Sequence, residues 1–229
     1  MEMIERIVVG NLYTNAYIAS VSKKECILID PGAEVGKLIK RLEAINMTPL
    51  AIILTHGHLD HTGAAVGVIE HFAKRDVQVQ VGIHNGDSSF LGLPGVEANR
   101  ATFEFFGDRG VEAYEGLIGP IPEADFYFEE GDSILDTDLI VMHTPGHTKG
   151  SISIYSESRK VVFSGDTLFF HSIGRTDVPL GDEEQLKTTI RDRLFTLPPD
   201  TRLFPGHGPV STIERELMNN PFESEGATI

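Results

Sequence analysis

Tryptophan is absent from this 229-residue sequence, and cysteine occurs once, at Cys26. A lone cysteine excludes an internal disulfide, so the fold must hold through its core, and a reducing compartment suits it. Cys26 lies in the strand-like run Glu25-Cys26-Ile27-Leu28-Ile29 and reads as a small core residue. Basic residues are scarce: 19 Lys and Arg stand against 34 Asp and Glu, a formal charge of −15. No basic run offers a face for phosphates, which argues against nucleic acid as a partner. No apolar run approaches the ~18 residues of a membrane-spanning helix. The opening residues Met1-Glu2-Met3-Ile4-Glu5-Arg6 put acids where a signal peptide carries bases. The expectation is a soluble cytoplasmic protein that meets neither nucleic acid nor membrane, in a chain long enough for a large core.

What the chain does have is a dense knot of metal-binding side chains. Thr55-His56-Gly57-His58-Leu59-Asp60-His61-Thr62-Gly63 puts three imidazoles and a carboxylate into six positions. The knot follows the apolar run Leu50-Ala51-Ile52-Ile53-Leu54, a short buried strand by its length and β-branched centre. A helical pattern opens at Thr62, so the cluster falls on a strand-to-helix loop that can curl side chains around an ion. His56 and His58, two apart, point the same way along an extended loop and can grip one metal. Asp60 and His61 are displaced along the loop and can face a second. Imidazole and carboxylate without thiolate suit zinc, iron or manganese. The alternative is a polar loop with solvated histidines.

Further donors arrive singly, each just past a strand pattern and flanked by Gly or Pro that turn the backbone. His147 follows 139–143 in Thr144-Pro145-Gly146-His147-Thr148, Asp166 follows 160–163 in Ser164-Gly165-Asp166-Thr167, and His207 follows 201–203 in Phe204-Pro205-Gly206-His207-Gly208.

This order, HxHxDH, then a distant His, an Asp and a final His, resembles the metallo-β-lactamase-fold hydrolases over residues 4–222. Within them it is most similar to the glyoxalase II (hydroxyacylglutathione hydrolase) group of the short bacterial type. Gly165-Asp166-Thr167-Leu168-Phe169, Ser172-Ile173-Gly174-Arg175-Thr176-Asp177 and Pro205-Gly206-His207-Gly208-Pro209 carry the nearer likeness. The resemblance implies an α/β, four-layer αββα sandwich and two divalent ions. His56, His58 and His147 would hold one ion; Asp60, His61 and His207 the other; Asp166 would bridge. Zinc is the expected metal, with iron and manganese as alternatives, and Asp60 and Asp166 are the catalytic carboxylates so implied. Asp30, in Asp30-Pro31-Gly32, reads as a turn former by itself; the resemblance places it beneath the metals, orienting an imidazole. His61 argues against the β-lactamase branch, which usually lacks a histidine there.

The element order agrees with that fold. Residues 4–10, 15–21 and 24–29 read as a meander, 34–45 as a helix, 50–54 as a strand, 62–74 as a helix and 78–83 as a strand, an α/β alternation. Strands follow at 133–136, 138–143, 151–156 and 160–164, then helices at 185–195 and 211–219. The last opens with Ser211-Thr212-Ile213-Glu214, a capping-box pattern. One domain spans 1–229, with an aromatic-rich insertion at about 85–130, mostly loop around a helix at 97–107. That insertion is a peripheral satellite, a lid, or a homodimer contact. His71 and His84 read as surface histidines and His143 as structural or supporting.

Chemistry follows from the expected pair of ions. A metal draws the pKa of bound water from 15.7 to about 7, so hydroxide can attack a carbonyl at neutral pH. A thiolate leaves readily, since thiols ionise near pH 8.5, and no spare acid claims the leaving group. The expected substrate is therefore a small-molecule thioester. In the resembled group it is an S-acylglutathione such as S-lactoylglutathione, and Arg175 falls where that group has a basic residue for a glutathione carboxylate. Lys149 and His171 are weaker substrate-binding candidates, and a surface role remains the alternative for Arg175. Asp177 stands where the larger enzymes have a tyrosine, and no C-terminal helical region with further basic groups follows before Ile229. Competing classes are an iron-dependent persulfide dioxygenase of the same fold, a non-catalytic binding protein, and a nuclease, which the acidic charge disfavours.

Overall fold

A computed structural model describes residues 3–224; Met1, Glu2 and residues 225–229 lie outside them, and with them part of the N-terminal pattern read against a signal peptide. The chain divides into two compact units, Met1–Phe128 and Glu129–Ile229.

The first unit is built on one six-stranded sheet. Strands β1 (Ile4–Val9), β2 (Thr14–Ser20) and β3 (Glu25–Ile29) form the expected antiparallel meander. After helix α1 (Val35–Ala44), β4 (Thr48–Ile53) joins β3 in parallel. A helical turn α2 (Leu59–Thr62) and helix α3 (Ala65–Ala73) lead to β5 (Gln80–His84), parallel to β4. Period-two alternation sends Ile18, Cys26, Leu28, Ile52, Leu54 and Val81 into one core with Leu38 and Leu42 of α1 and Val68 and Phe72 of α3. The opposite-pointing Ala19, Ile27, Ile29 and Ile53 are also fully buried, which explains why β3 and β4 read as unbroken apolar runs. Burial pushes the Cys26 thiol up to about 12, so it stays protonated and inert at neutral pH. Because β3, β4 and β5 run the same way, Asp30 and residues 55–61 emerge at one edge of the sheet.

Residues 85–130 are far more ordered than the sequence suggested. A 3-10 turn Asn85–Phe90, helix α4 (Gly92–Glu104) and helix α5 (Asp108–Leu117) occupy a span expected to be mostly loop, and the expected 97–107 helix begins earlier, at Gly92. Strand β6 (Phe126–Phe128) then completes the sheet beside β5, so the end of the span belongs to the sheet. Gly110 allows the two helices to pack: a Cβ there would come within 1.8 Å of the Phe103 carbonyl oxygen, so this glycine permits the close approach of α5 to α4. His71 and His84, expected at the surface, are half-buried.

The second unit carries a five-stranded sheet. Where a strand was expected at 133–136, only Ser133 is extended, bridged to Ile140, and a 3-10 turn covers Ile134–Asp136, in which Leu135 and Asp136 adopt φ of 50° and 53°. Strands β7 (Ile140–His143), β8 (Ile152–Ser156) and β9 (Val161–Gly165) are antiparallel neighbours. A small hairpin, β10 (Leu168–Phe169) and β11 (Ser172–Ile173), was not foreseen. Helix α6 (Glu183–Thr189) runs on as a π-helical turn through Leu194, and β12 (Arg202–Pro205) lies parallel to β9. β13 (Ser211–Thr212) precedes α7 (Ile213–Asn219) and α8 (Pro221–Ser224). Thr212, not Ser211, caps α7 by accepting the Arg215 N–H, while the Ser211 hydroxyl donates to the buried Glu216 carboxylate. Leu186, Ile190, Leu194, Leu203, Ile213 and Phe222 share a core with Val162 and Leu168. Strands β7, β9 and β12 point the same way, so His147, Asp166 and His207 follow strand ends at one edge.

One ion pair in this unit sets an acid-sensitive part of the stability. Arg159, its side chain 7% exposed, meets Asp138 at 2.9 Å. Burial works against the Asp138 carboxylate, but the hydroxyls of Ser156 and Ser158 and the Arg159 guanidinium together hold it below its ordinary 3.8. A carboxyl depressed on folding stabilises above its unfolded pKa and loses that contribution as pH falls through the folded value. Asp138→Ala is expected to cost about 1–3 kcal/mol at pH 7 by leaving Arg159 without this acceptor. The difference from wild type should shrink below roughly pH 4, the unfolded range. Urea unfolding at pH 7 and pH 3 checks it; an equal difference at both would contradict the assignment.

Candidate metal centre

Asp30 is the hub of the first unit's site. Its backbone sits at φ 50°, a left-handed geometry that Asp tolerates, at the end of β3. Its carboxylate accepts the Thr55 N–H at 2.8 Å and the Thr55 hydroxyl at 2.6 Å, and His61 Nδ1 lies 2.9 Å from its Oδ2. A carboxylate only accepts, so His61 Nδ1 carries a proton and Nε2 is the ring nitrogen left to face a further partner. The same logic reaches His56. The one Thr55 hydroxyl proton goes to Asp30, so the Thr55 oxygen accepts from His56 Nδ1, 3.2 Å away. His56 is therefore also left with Nε2, a buried atom, as the ring nitrogen free of Thr55. His56 and His61 are fully buried, their ring centroids 4.1 Å apart, with His58 edge-on to His56 at 4.8 Å. Asp30, His56 and His61 form a tight buried cluster in which Asp30 is the support, its carboxylate already taken by three donors.

Asp60 lies in the first turn of α2, directly after His58, the N-cap residue. Its Oδ2 accepts the Thr14 hydroxyl at 3.0 Å and stands 3.5 Å from His61 Nε2. Two lone-pair atoms face each other there, an arrangement that calls for a proton or a cation between them.

The second unit repeats the theme. His147 Nδ1 is 2.7 Å from the Arg175 carbonyl, which accepts only, so Nδ1 is protonated and Nε2 is the acceptor. That Nε2 faces Asp166 Oδ2 at 3.8 Å, and His207 Nε2 approaches the same oxygen at 3.4 Å. Asp166, its side chain 12% exposed, thus presents one carboxylate oxygen to two imidazoles. In both units imidazole nitrogens and carboxylate oxygens face each other, and the Nδ1 atoms of His56, His61 and His147 are tied to oxygen acceptors. That chemistry fits a divalent cation of the zinc, iron or manganese kind and offers no thiolate.

The substrate-side candidates are looser. Arg175 is exposed, and its fork grips Asp177 through Nε at 2.8 Å and Nη2 at 2.9 Å. The Arg175 guanidinium holds the Asp177 carboxyl below its ordinary range. Lys149 is exposed, and its carbonyl accepts from His143 Nε2 at 2.9 Å, the supporting role expected of His143. His171 is exposed at the tip of the β10–β11 hairpin with φ 54°. Its backbone N–H donates to Glu216 at 2.7 Å, a buried carboxylate that also accepts from Asn220 at 2.9 Å. Thr14 and Glu216 were invisible in the sequence: each sits on an ordinary strand or helix pattern and meets its partner only through the fold.

Comparison with known proteins agrees with this geometry. The family described as the Metallo-beta-lactamase superfamily matches residues 9–207. Hydroxyacylglutathione hydrolase GloC of Haemophilus influenzae is 36% identical, covering 96% of this chain and 97% of its own. Among solved structures, the B3 metallo-beta-lactamase BLEG-1 is 36% identical with TM-score 0.81, covering 96% of this chain and 99% of its own. TTHA1623, solved in a di-iron-bound form, is 35% identical with TM-score 0.79, covering 95% and 99%. The mixed α/β fold class expected from the sequence is that of these structures.

Proposed function

The chain belongs to the metallo-beta-lactamase superfamily, and from that premise we propose that it is a dinuclear-metal thioester hydrolase acting on S-acylglutathiones such as S-lactoylglutathione. The observation that carries this is the pair of carboxylate-imidazole confrontations, Asp60 with His61 and Asp166 with His147 and His207. His56, His58 and His147 would hold one ion, Asp60, His61 and His207 the other, and Asp166 both. Bound there, the ions supply Lewis acidity and bring a water's pKa towards neutrality.

The protein's own part is to fix donors. Asp30 and the Arg175 carbonyl set the tautomers of His61 and His147, Thr55 that of His56, and Thr14 orients Asp60. In each of these three rings Nε2 is thus the nitrogen left to face an ion. The thiolate product needs no acid, in keeping with its low pKa. Arg175 is the group proposed to receive a substrate carboxylate, with Lys149 and His171 at the rim. Its bond to Asp177 is exposed, worth about 0.2–1 kcal/mol, so a carboxylate ligand displaces it at little cost. The name of the Haemophilus influenzae relative supports the acyl-glutathione class. The single cysteine, which allows no internal disulfide, supports a cytoplasmic setting.

Likeness to a B3 metallo-beta-lactamase at the same identity returns β-lactam hydrolysis to the candidate classes, so His61 no longer excludes that branch. The di-iron relative favours iron as an alternative to zinc. One panel separates the readings: S-lactoylglutathione with thiol release, nitrocefin ring opening, and glutathione persulfide with oxygen uptake, each with zinc- and iron-loaded chain. Thiol release dominating with two ions per chain is the expected result. Nitrocefin turnover exceeding thioester turnover, or oxygen uptake with one iron, would replace it.

A further inference from the structure

The metal loop has a second support, reached from the far side. Asp87 is fully buried in the 3-10 turn Asn85–Phe90. Its Oδ2 accepts, at 2.9 Å, the N–H of Gly57, the residue between His56 and His58. Gly57 packs directly on the same turn: a Cβ there would come within 2.3 Å of the Phe90 Cβ. The Phe90 ring in turn meets His58 edge-on at 5.3 Å. Behind it, fully buried Asn99 of α4 donates through Nδ2 to the Phe90 carbonyl at 3.2 Å. His84 opens the turn by accepting the Gly86 N–H at 3.1 Å. The span that reads in sequence as a satellite, lid or dimer contact therefore begins as a buttress behind two histidines.

We propose that Asp87 is a positioning residue for His56 and His58, a role that rests on those two being ligands as proposed above. A glycine peptide has wide freedom, and a buried N–H without an acceptor is costly. Gripped by a carboxylate, the Gly57 peptide has one orientation, and the two imidazoles project from it in a fixed relation. Loss of that grip lets the peptide rotate and spreads the donors. Partners standing behind ligands typically carry 10- to 100-fold in metal affinity.

The test is Co(II) titration of the metal-depleted full chain, read by visible absorption, for wild type, Asp87→Asn and Asp87→Ala. Asparagine keeps an acceptor oxygen at the same reach and should stay within about threefold of wild type, whereas alanine should weaken the first-bound ion roughly tenfold or more and alter its spectrum. A merely structural Asp87 would lower the melting temperature of the metal-free chain and leave affinity and spectrum of the loaded chain unchanged; that outcome overturns the proposal. If Asp87→Ala does not fold, the Gly57 amide of the Co-free wild type and of Asp87→Asn decides: slow hydrogen exchange in both supports the grip, and rapid exchange in either removes it. Wild type that binds no Co(II) refutes the ligand assignment itself, a result distinct from failure of Asp87 alone.

Discussion

Asp166→Ala is expected to empty both metal positions while leaving the chain folded. Asp166 Oδ2 stands 3.8 Å from His147 Nε2 and 3.4 Å from His207 Nε2, so one oxygen faces nitrogens of two imidazoles. The Arg175 carbonyl holds His147 Nδ1, so Nε2 is the atom turned towards Asp166. Without a cation, the contacts of Asp166 to His147 and His207 are long, at 3.8 and 3.4 Å. Its removal should therefore change the stability of the metal-free chain little. With a cation, the same oxygen is the strongest donor of the group, and its loss should exceed the roughly 100-fold reached by partners behind ligands. Metal analysis after reloading, beside a melting curve of the metal-free chain, reads both halves. Two ions per chain retained in the variant would end the bridging assignment. A lost fold would show instead that Asp166 is structural.

The second large effect belongs to Asp30. Three donors converge on its carboxylate, the Thr55 N–H, the Thr55 hydroxyl and His61 Nδ1–H, all within a buried shell. Asp30→Ala strands them together. Each stranded donor costs about 1–3 kcal/mol, and since they share one void the sum is smaller than three separate losses. A net loss of about 3 kcal/mol corresponds to a fall of roughly 6–12 °C in melting temperature for a chain of this size. The tautomer of His61 is freed as well, and the Thr55 hydroxyl no longer has an acceptor that forces its oxygen towards His56 Nδ1. Metal affinity should therefore drop by about 10- to 100-fold in addition. Asp166→Ala and Asp30→Ala thus leave opposite marks: the first strips metal from a stable chain, the second weakens both. Differential scanning calorimetry with and without zinc distinguishes them, and an Asp30→Ala chain as stable as wild type would show that the hub carries no load.

Much of the candidate donor set was legible because it lies where local pattern and chemistry coincide. β4 and β9 are apolar runs that end abruptly, and the residues beyond them are histidine or aspartate beside glycine or proline. Such a pattern needs no knowledge of the rest of the fold. The supports were not legible, for a physical reason. Thr14 bonds Asp60 across 46 positions and Asp87 bonds Gly57 across 30, so neither element shows the pairing in its own sequence. Asn85-Gly86-Asp87 reads locally as a turn, which it is, and only burial reveals what the aspartate holds. Helix α5 hid for a related reason: Gly107, Gly110 and Gly116 suggest a loop, whereas Gly110 answers to the Phe103 carbonyl. The misread strand at 133–136 is the converse case, an apolar pair Ile134-Leu135 with strand propensity overridden by left-handed backbone at Leu135 and Asp136.

Metal analysis of the purified full chain joined to X-ray absorption at the metal edge tests the central claim most directly. Two divalent ions per chain are predicted, in shells of nitrogen and oxygen with imidazole scattering and no sulfur, since the one thiol is buried in the core. A chain that holds less than one ion after reloading with zinc, iron or manganese, or a shell without imidazole, would contradict it.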